Sequence, residues 1–318
     1  VNGVYEREMA ITMTFVSNET ALIFTSAAGD PYGNDNSDAG QLLVDNQTQC
    51  DALIGSANYD IGHVFSTGAG GLSLLGVVCQ APYKAQSVTG SANPTGDGFN
   101  IDYVAHEMGH EFGANHTFNN SSSSSCAGNG VQDCAYEPGS GSTIMGYAGI
   151  CQNDDIQPHS DAYFHAKSLL EIQNYTVVGY GAACPAKTAT GNKLVAFVPF
   201  NNSHSIPYLT PFELSAPTAT DSLTDSAILY CWEEWDLGSF GSTFSNTTGS
   251  GPLFRSFAPK TSNTRVFPKD SMVLSGVLSN AGHENAQGEK VPEVARTMKF
   301  RCTYRNIRNG YGCFNFPD

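Results

Sequence analysis

Basic residues are nearly missing from the first 184 positions of this sequence. That stretch holds only Arg7, Lys84 and Lys167 against 19 acidic residues, a net charge of −16. Residues 185–318 hold 12 basic and 11 acidic residues, a net charge of +1, and the two parts sum to the −15 of the whole chain. Because so acidic a region repels phosphate backbones, the charge excludes nucleic acid as a partner. It favours solubility over the attraction of basic substrates.

Long apolar runs and paired cysteines are also missing. No apolar run reaches the roughly 18 residues of a membrane span, and the first five residues have neither the basic nor the apolar part of a signal peptide. None of the nine cysteines forms a CxxC pair, which excludes a zinc ribbon or a thioredoxin-like site. Scattered cysteines in a chain poor in lysine predict disulfides made in an oxidising compartment, and therefore a secreted protein. The odd number leaves one cysteine without a partner in the chain.

Hydrophobic periodicity predicts a mixture of helices and strands over residues 1–184. The predicted helices cover residues 1–9, 41–54, 100–112 and 161–172, and a helix start at Asp38 precedes the second of them. The predicted strands cover residues 9–16, 60–66 and 71–79, with residues 22–24 as a short partner of the first. Residues 117–143 are rich in serine, glycine and asparagine and are predicted to form a loop.

The chain changes character after a linker predicted at residues 185–192. Short β-type runs are separated by loops of serine, threonine, asparagine, glycine and proline; they cover residues 194–200, 212–216, 227–232 and 297–304. This pattern predicts an all-β domain over residues 193–318. Cys231-Trp232 on one strand and Cys302 on another are similar to the core of immunoglobulin-like sandwiches, so we expect such a sandwich with a Cys231–Cys302 bridge. A stabilising appendage, substrate capture and surface attachment are all compatible with it.

A dense group of chemically active residues lies at 106–116, which read His-Glu-Met-Gly-His-Glu-Phe-Gly-Ala-Asn-His. His106 and His110 are four residues apart, so on a helix both imidazoles lie on one face and can share a metal ion. Gly113 gives the chain freedom to turn, and His116 then completes a three-histidine site. Three protein ligands leave a fourth position for water, which is typical of a catalytic zinc.

Glu107 lies beside the metal in this pattern rather than on it. A carboxylate there can take a proton from zinc-bound water and pass it to a departing amine. The competing interpretation is a helix with core histidines or an inactivated enzyme, and the intact ligands and base disfavour it. The extended pattern resembles the signature of the metzincin zinc metalloproteases.

The resemblance to metzincins continues downstream of the histidines. Met145 lies 29 residues after His116, where metzincins place a methionine in a turn beneath the metal. Tyr147 follows where astacins and serralysins carry a tyrosine that can ligate zinc. The resemblance implies a transition-state stabiliser, with a packing role as the alternative.

Residues 58–79 and 161–169 resemble segments of the reprolysin (adamalysin)-like branch, and residues 1–184 are most similar to bacterial members with a β-rich C-terminal module. This resemblance implies an α+β catalytic domain over 1–184, with a twisted mixed sheet, helices and a zinc cleft below the edge strand. A peptide would bind extended and antiparallel to that strand, at Gly71, Leu72, Ser73, Leu74 and Leu75. Residues 148–160 would shape the S1′ wall.

Two further expectations follow from the resemblance alone. The usual disulfides of the family imply Cys79–Cys184 and Cys126–Cys151 bridges, with no counterpart for Cys50 and Cys134. Catalytic domains of the family open with a strand and a long helix, and Val1 would correspond to a position near the end of that helix.

Two other features could be taken for metal sites, and neither has the spacing of one. The segment Asp30–Gly40 carries acidic oxygens that could bind calcium, but the EF-hand spacing is absent, so a solvated loop is favoured and calcium is unsupported. His63, His159 and His165 stand apart from any ligand pattern, and we expect them in a strand, a loop and a helix.

The sequence therefore predicts a secreted zinc metalloendopeptidase, a hydrolase of peptide bonds whose partners are protein or peptide substrates. The alternative is a non-catalytic adhesion or binding module on the same scaffold. Neither the natural substrate nor the oligomeric state can be deduced from these residues.

Overall fold

Helices and short strands share the first 184 residues of the computed structural model, and strands predominate after them. The structure describes residues 1–33, 36–68, 70–121, 124–200, 202–223, 226–241, 250–280 and 288–316. The chain divides into two compact units: the first is Val1–Asn2, Thr12–Asn115 and Ser168–Thr188, and the second is Gly3–Ile11, His116–Lys167 and Ala189–Asp318. Within the described residues, no helix has the length and apolar character needed to cross a membrane.

The α-helices and strands have the following bounds. The helices are α1 (Asn2–Met9), α2 (Ala39–Gln49), α3 (Asp97–Phe99), α4 (His106–Glu111), α5 (Ala166–Val177) and α6 (Asp270–Leu274). The strands are β1 (Val64–Ser66), β2 (Gly71–Ser73), β3 (Ser87–Gly90), β4 (Phe212–Ser215), β5 (Ala227–Glu234), β6 (Thr264–Phe267), β7 (Ser279–Asn280), β8 (Glu289–Lys290), β9 (Phe300–Arg308) and β10 (Tyr311–Asn315).

A small mixed sheet forms the centre of the first unit. β3 lies in the middle, parallel to β1 and antiparallel to β2, so β2 is an edge strand. Helix α2 begins at Asp38, whose carboxylate accepts a hydrogen bond from the Gln41 N–H, as an N-cap does. Leu42 and Leu43 of α2 are buried with Val88 of β3, which fixes the helix to the sheet.

Three antiparallel sheets form the C-terminal part of the second unit. β9 lies between β5 and β10, β4 pairs with β6, and β7 pairs with β8. One apolar core contains residues of both the β5–β9–β10 sheet and the β4–β6 pair, including Tyr230, Trp232, Cys302, Tyr304 and Phe267. The burial of these large side chains is the main apolar contribution to this part of the unit.

The opposite face of the β5–β9 pair is buried too, but it is polar. Arg305 of β9 is 1% exposed; its Nε donates to Glu8 Oε2 of α1 at 3.1 Å, and a terminal nitrogen donates to the Phe164 carbonyl at 2.7 Å. Glu233 of β5 is fully buried and accepts from the Ala166 N–H at 3.0 Å and from the Ser256 hydroxyl at 2.7 Å. Buried charges are tolerated only with such partners, so these bonds tie distant segments of this unit together.

The structure confirms the helices predicted near 1–9, 41–54 and 100–112, and it corrects two strands. No strand forms at 9–16, and Glu19–Leu22 is a 3₁₀ helix. Alternation at 9–16 marks no buried face, because Phe15 is 88% exposed. The run at 194–200 is reduced to an isolated bridge between Ala196 and Thr220. Strands β3, β6, β7, β8 and β10 were not predicted from the sequence.

The cysteines give one confirmation and one correction. Cys79–Cys184 and Cys126–Cys151 are bridged, as the family resemblance implied. The predicted Cys231–Cys302 bridge is wrong, and both thiols are free. Cys231 is paired with Thr303, and Cys302 with Trp232, so the two sulfurs belong to opposite faces of the sheet. The chain is a mixed α/β protein with small sheets, and the immunoglobulin-like arrangement stays a prediction.

Candidate metal centre

Helix α4 carries the first two of the predicted ligands. Three helical segments of two types follow one another here: α3, a π-helical segment at Asn100–Ala105, and α4 from His106. Segments of π-helix are rare and often mark functional sites, where they re-aim side chains. The rings of His106 and His110 lie edge to face, with their centroids 4.8 Å apart, so the four-residue spacing brings both to one side of the helix.

The chain leaves α4 through a turn that the sequence prescribes. Gly113 has a φ of +92°, and a Cβ there would lie 3.1 Å from the Cβ of Tyr175, so both its conformation and its surroundings require glycine. The last carbonyls of the helix accept hydrogen bonds from the N–H groups of Gly76 and Val77, at 2.8 and 2.9 Å. The carboxylate of Glu171 then holds Asn115 by its backbone and its side-chain amide, at 3.0 and 2.9 Å.

The turn returns His116 to the first two histidines. One ligand atom from each of His106, His110 and His116 lies within 4.8 Å of the others. Nδ1 of His110 is 2.7 Å from the Ala114 carbonyl, and Nδ1 of His116 is 2.6 Å from that of Asn129. Because a carbonyl only accepts, each Nδ1 carries the proton and each Nε2 keeps its lone pair. Two of the three imidazoles are prepared in this way, and three clustered histidines fit zinc.

Burial also favours the neutral form of His116, the third predicted ligand. Burial lowers the pKa of His116 to about 4, and the hydrogen bond to the Asn129 carbonyl only partly opposes it. His116 is therefore neutral at neutral pH, the form in which an imidazole binds a metal.

Glu107 lies buried beside the edge strand. A Cβ on Gly71 would overlap Oε1 of Glu107 and come within 2.7 Å of its carboxyl carbon, so only glycine leaves room for the carboxylate. Ser73 of the same strand donates a hydrogen bond to Glu107, and Oε2 has no partner among the described residues. Burial raises the pKa of Glu107 to about 8 despite the Ser73 hydrogen bond, and a bound dication would lower it.

A buried polar network extends from Glu107 and was missed in the sequence. Glu111, one turn after Glu107, is fully buried, and its carboxylate is 3.1 Å from Nδ1 of His63. His63 also contacts Thr89 at 2.8 Å and Ser87 at 3.0 Å, and the Ser87 hydroxyl is hydrogen-bonded to Ser73. His63 was expected to be a strand residue, and it immediately precedes β1. In the sequence, the only indication of this network was the four-residue spacing of Glu107 and Glu111.

The segment around Met145 adjoins the third ligand. Met145 is fully buried, and its carbonyl accepts a hydrogen bond from the Thr117 N–H at 3.1 Å. The Tyr147 ring lies edge to face with His116 at 4.6 Å and stacks on Phe118 at 4.5 Å. Tyr147 is thus placed next to a metal ligand and has packing contacts as well.

The predicted substrate-binding residues differ in their positions. Gly71, Leu72 and Ser73 form the edge strand, whereas Leu74 and Leu75 follow it outside regular structure. Leu72, Leu74 and Leu75 are 42%, 38% and 51% exposed. Edge strand β2, which covers Glu107, and the two residues after it therefore present exposed apolar side chains.

The other predicted sites stay apart from this centre. His165 stacks on Trp235 and lies 3.7 Å from Glu233. Asn34 and Asp35 of the Asp30–Gly40 loop lie outside the described residues.

The sequence matches the model of a known protein family. The model of the metallopeptidase family M12B, reprolysin-like, matches residues 1–167 of the 318. No curated protein matches the sequence. The matched region includes all three histidines, Glu107, Met145 and Tyr147.

Proposed function

The chain belongs to the reprolysin-like metallopeptidases of family M12B, and we propose that it is a secreted, zinc-dependent endopeptidase of the metzincin type. The observation that carries this proposal is the geometry of one short segment. Three histidines converge within 4.8 Å, and their neighbour Glu107 is buried against a glycine of the edge strand. Metallopeptidase chemistry needs both a metal and a base, and this segment provides a place for each.

The metal would be held by Nε2 of His110 and His116 together with His106. Zinc bound there would act as a Lewis acid on the substrate carbonyl and lower the pKa of water. Oε2 of Glu107, which has no partner among the described residues, is the atom that would accept the proton of the attacking water. Glu107 would then give this proton to the leaving amine, and Ser73 would keep the carboxylate oriented.

The substrate would bind as an added strand along β2. The outer edge of β2 is unpaired within the described sheet, so its backbone groups can bond an extended peptide. Apolar side chains of the substrate would contact Leu72, Leu74 and Leu75. The S1′ wall is assigned to residues 148–160, which follow Met145 and Tyr147.

Tyr147 is proposed to stabilise the oxyanion of the transition state. Its ring contact with His116 at 4.6 Å supports this role, because it places the side chain next to a proposed metal ligand. The stacking on Phe118 supports the alternative, a packing role.

Secretion and the domain organisation complete the proposal. The two disulfides are typical of an oxidising compartment. We assign residues 1–184 to the catalytic domain, 185–192 to a linker and 193–318 to a β-sandwich. The shared core of the β5–β9–β10 sheet and the β4–β6 pair supports a sandwich architecture.

The decisive experiment replaces Glu107 by glutamine, which keeps the size of the side chain and removes the base. We expect hydrolysis of casein or a peptide library to fall by about 10²–10⁴-fold, while zinc content stays at one ion per chain. The companion variant Tyr147→Phe should lower kcat and leave zinc content unchanged if the phenol contacts the transition state. Full activity of Glu107→Gln would overturn the mechanism, and a zinc-loaded but inactive wild type would favour the non-catalytic binding module.

A further inference from the structure

A buried carboxylate joins two segments of the metal centre, and no sequence motif indicates it. Glu137 is 1% exposed and lies beside the chain that leaves His116. Its N–H donates to the Thr117 carbonyl and its carbonyl accepts from the Asn119 N–H, both at 2.9 Å. The backbone of Glu137 is thereby fixed against the segment of the third ligand.

The side chain of Glu137 connects this segment to the Met145 turn. Oε2 accepts hydrogen bonds from the hydroxyls of Thr117 and Thr143, at 2.5 and 2.6 Å. Oε1 accepts from the N–H groups of Ser142 and Thr143, at 2.9 and 3.1 Å. Thr117 directly follows the ligand His116, and Thr143 stands two residues before Met145. The Ser142 hydroxyl also donates to Oε1, at 3.4 Å. One carboxylate therefore holds both segments by five hydrogen bonds.

In this arrangement both side-chain oxygens of Glu137 must accept hydrogen bonds. The five donor groups belong to Thr117, Ser142 and Thr143, which are fully buried. Without Glu137 these groups would lose hydrogen bonds in a dry environment. Glutamine has the same size, but its amide replaces one acceptor by a donor. The site is also tightly packed, since a Cβ on Gly141 would lie 3.3 Å from Oε2. Neither a water molecule nor a longer side chain would fit without a shift of the turn.

We propose that Glu137 is a positioning residue of the metal centre: it fixes His116 and the Met145 turn in the arrangement that binds the metal. The proposal deepens the proposed function and rests on it for the catalytic readout. Its metal-binding readout is independent of catalysis. Groups that orient metal ligands through hydrogen bonds typically change metal affinity by about 10–100-fold when removed.

The test compares Glu137→Gln with the matched control Glu234→Gln. Glu234 is also buried and also accepts two backbone N–H groups, those of Leu253 and Phe254, at 2.6 and 2.7 Å. In the full chain, Glu137→Gln should weaken zinc binding by about 10–100-fold in competition with a chromophoric chelator. It should also shift the visible absorption bands of the Co²⁺-substituted protein and lower kcat more than it raises KM. Glu234→Gln should lower stability while it keeps the zinc affinity and the Co²⁺ spectrum of the wild type.

A folded Glu137→Gln variant with wild-type zinc affinity and an unchanged Co²⁺ spectrum would overturn the proposal. Should this variant fail to fold, the double variant Thr117→Val/Thr143→Val removes two hydroxyl donors and keeps the carboxylate. A zinc affinity of the double variant equal to that of the wild type would overturn the proposal as well. If the wild type hydrolyses no peptide, the proposed function fails, and zinc affinity and the Co²⁺ spectrum still decide the role of Glu137.

Discussion

The first two ligands and the third ligand are held in different ways. His106 and His110 lie on one face of α4, and their relative position is set by the geometry of a helix. His116 lies outside regular structure and is held by the Asn129 carbonyl, while Thr117 is held by Met145 and Glu137. The helical pair depends on neighbours in sequence, whereas the third ligand depends on groups 13 to 29 residues away, from Asn129 to Met145.

Because the ligands are held in these two ways, we expect them to tolerate different mutations. A helical ligand pair survives changes in distant segments as long as the helix forms. A ligand on an irregular segment moves with every group that fixes this segment, including groups of the C-terminal sheet. The polar face of β5 and β9 belongs to these groups, because Arg305 bonds the Phe164 carbonyl and the neighbouring Tyr163 carbonyl accepts from Ile144 N–H.

The largest effect is expected from Arg305→Met. It leaves Glu8 buried without its arginine, and loss of one member of a buried ion pair typically costs about 3–5 kcal/mol of unfolding free energy. Denaturant unfolding measures this loss. Hydrogen exchange should show reduced protection at residues 140–147 and retained protection in α4. This result is expected if the third ligand depends on distant groups and the helical pair does not.

The control for this prediction is the double variant Arg305→Met/Glu8→Gln, which removes both charges. It should recover part of the lost stability, since no unpaired charge remains. Equal loss of protection in α4 and in residues 140–147 would contradict the distinction between the two kinds of ligand.

A second prediction concerns the helical side of the centre. Gly71→Ala forces the Glu107 carboxylate away from the edge strand, and a displacement of about 1 Å can cost about 100-fold in rate. We expect kcat/KM to fall by about this factor while zinc affinity is unchanged, because the three atoms nearest to a Cβ at Gly71 all belong to Glu107 and none to a proposed metal ligand. Gly3→Ala is the matched control, since a Cβ on Gly3 meets nothing within 4 Å. Wild-type activity of Gly71→Ala would show that Glu107 does not need its close approach to the edge strand for catalysis.

The smallest effect is a pH dependence of the metal-free protein. Burial raises the pKa of Glu107 from 4.5 to about 8, so between these values the folded chain keeps a proton that the unfolded chain has lost. Stability should therefore fall as pH rises, by up to ~1.4 kcal/mol per pH unit. Glu107→Gln lacks this group and should show a flatter profile from pH 5 to 8, measured by denaturant unfolding with a chelator present. Parallel profiles of the two proteins would contradict the pKa shift.

Much of the centre could be predicted because its residues obey short-range rules. The spacing of His106, His110 and His116 requires only a helix and a glycine turn, and the structure has both. The N-cap at Asp38 is equally local. The two disulfides were found through the family resemblance, since spacing alone does not determine connectivity.

The remainder depends on contacts that the sequence does not encode locally. Glu137 looks like any acidic loop residue, and its role arises from hydroxyl and N–H groups on two other segments. The Cys231–Cys302 prediction failed for a related reason. Whether two cysteines face each other depends on strand register, and a shift of one residue places them on opposite faces.

The bond between Glu8 and Arg305 spans 297 residues, and this separation affects the order in which the protein can be made. A ribosome that has synthesised the chain up to residue 270 has already made every proposed metal ligand and the base. Arg305, however, is still missing, and Glu8 has no partner from β9. At roughly 5–20 residues per second the nascent chain spends seconds in this state. The catalytic segments are therefore synthesised before the support of the third ligand is complete, which delays the assembly of a working centre until Arg305 has emerged.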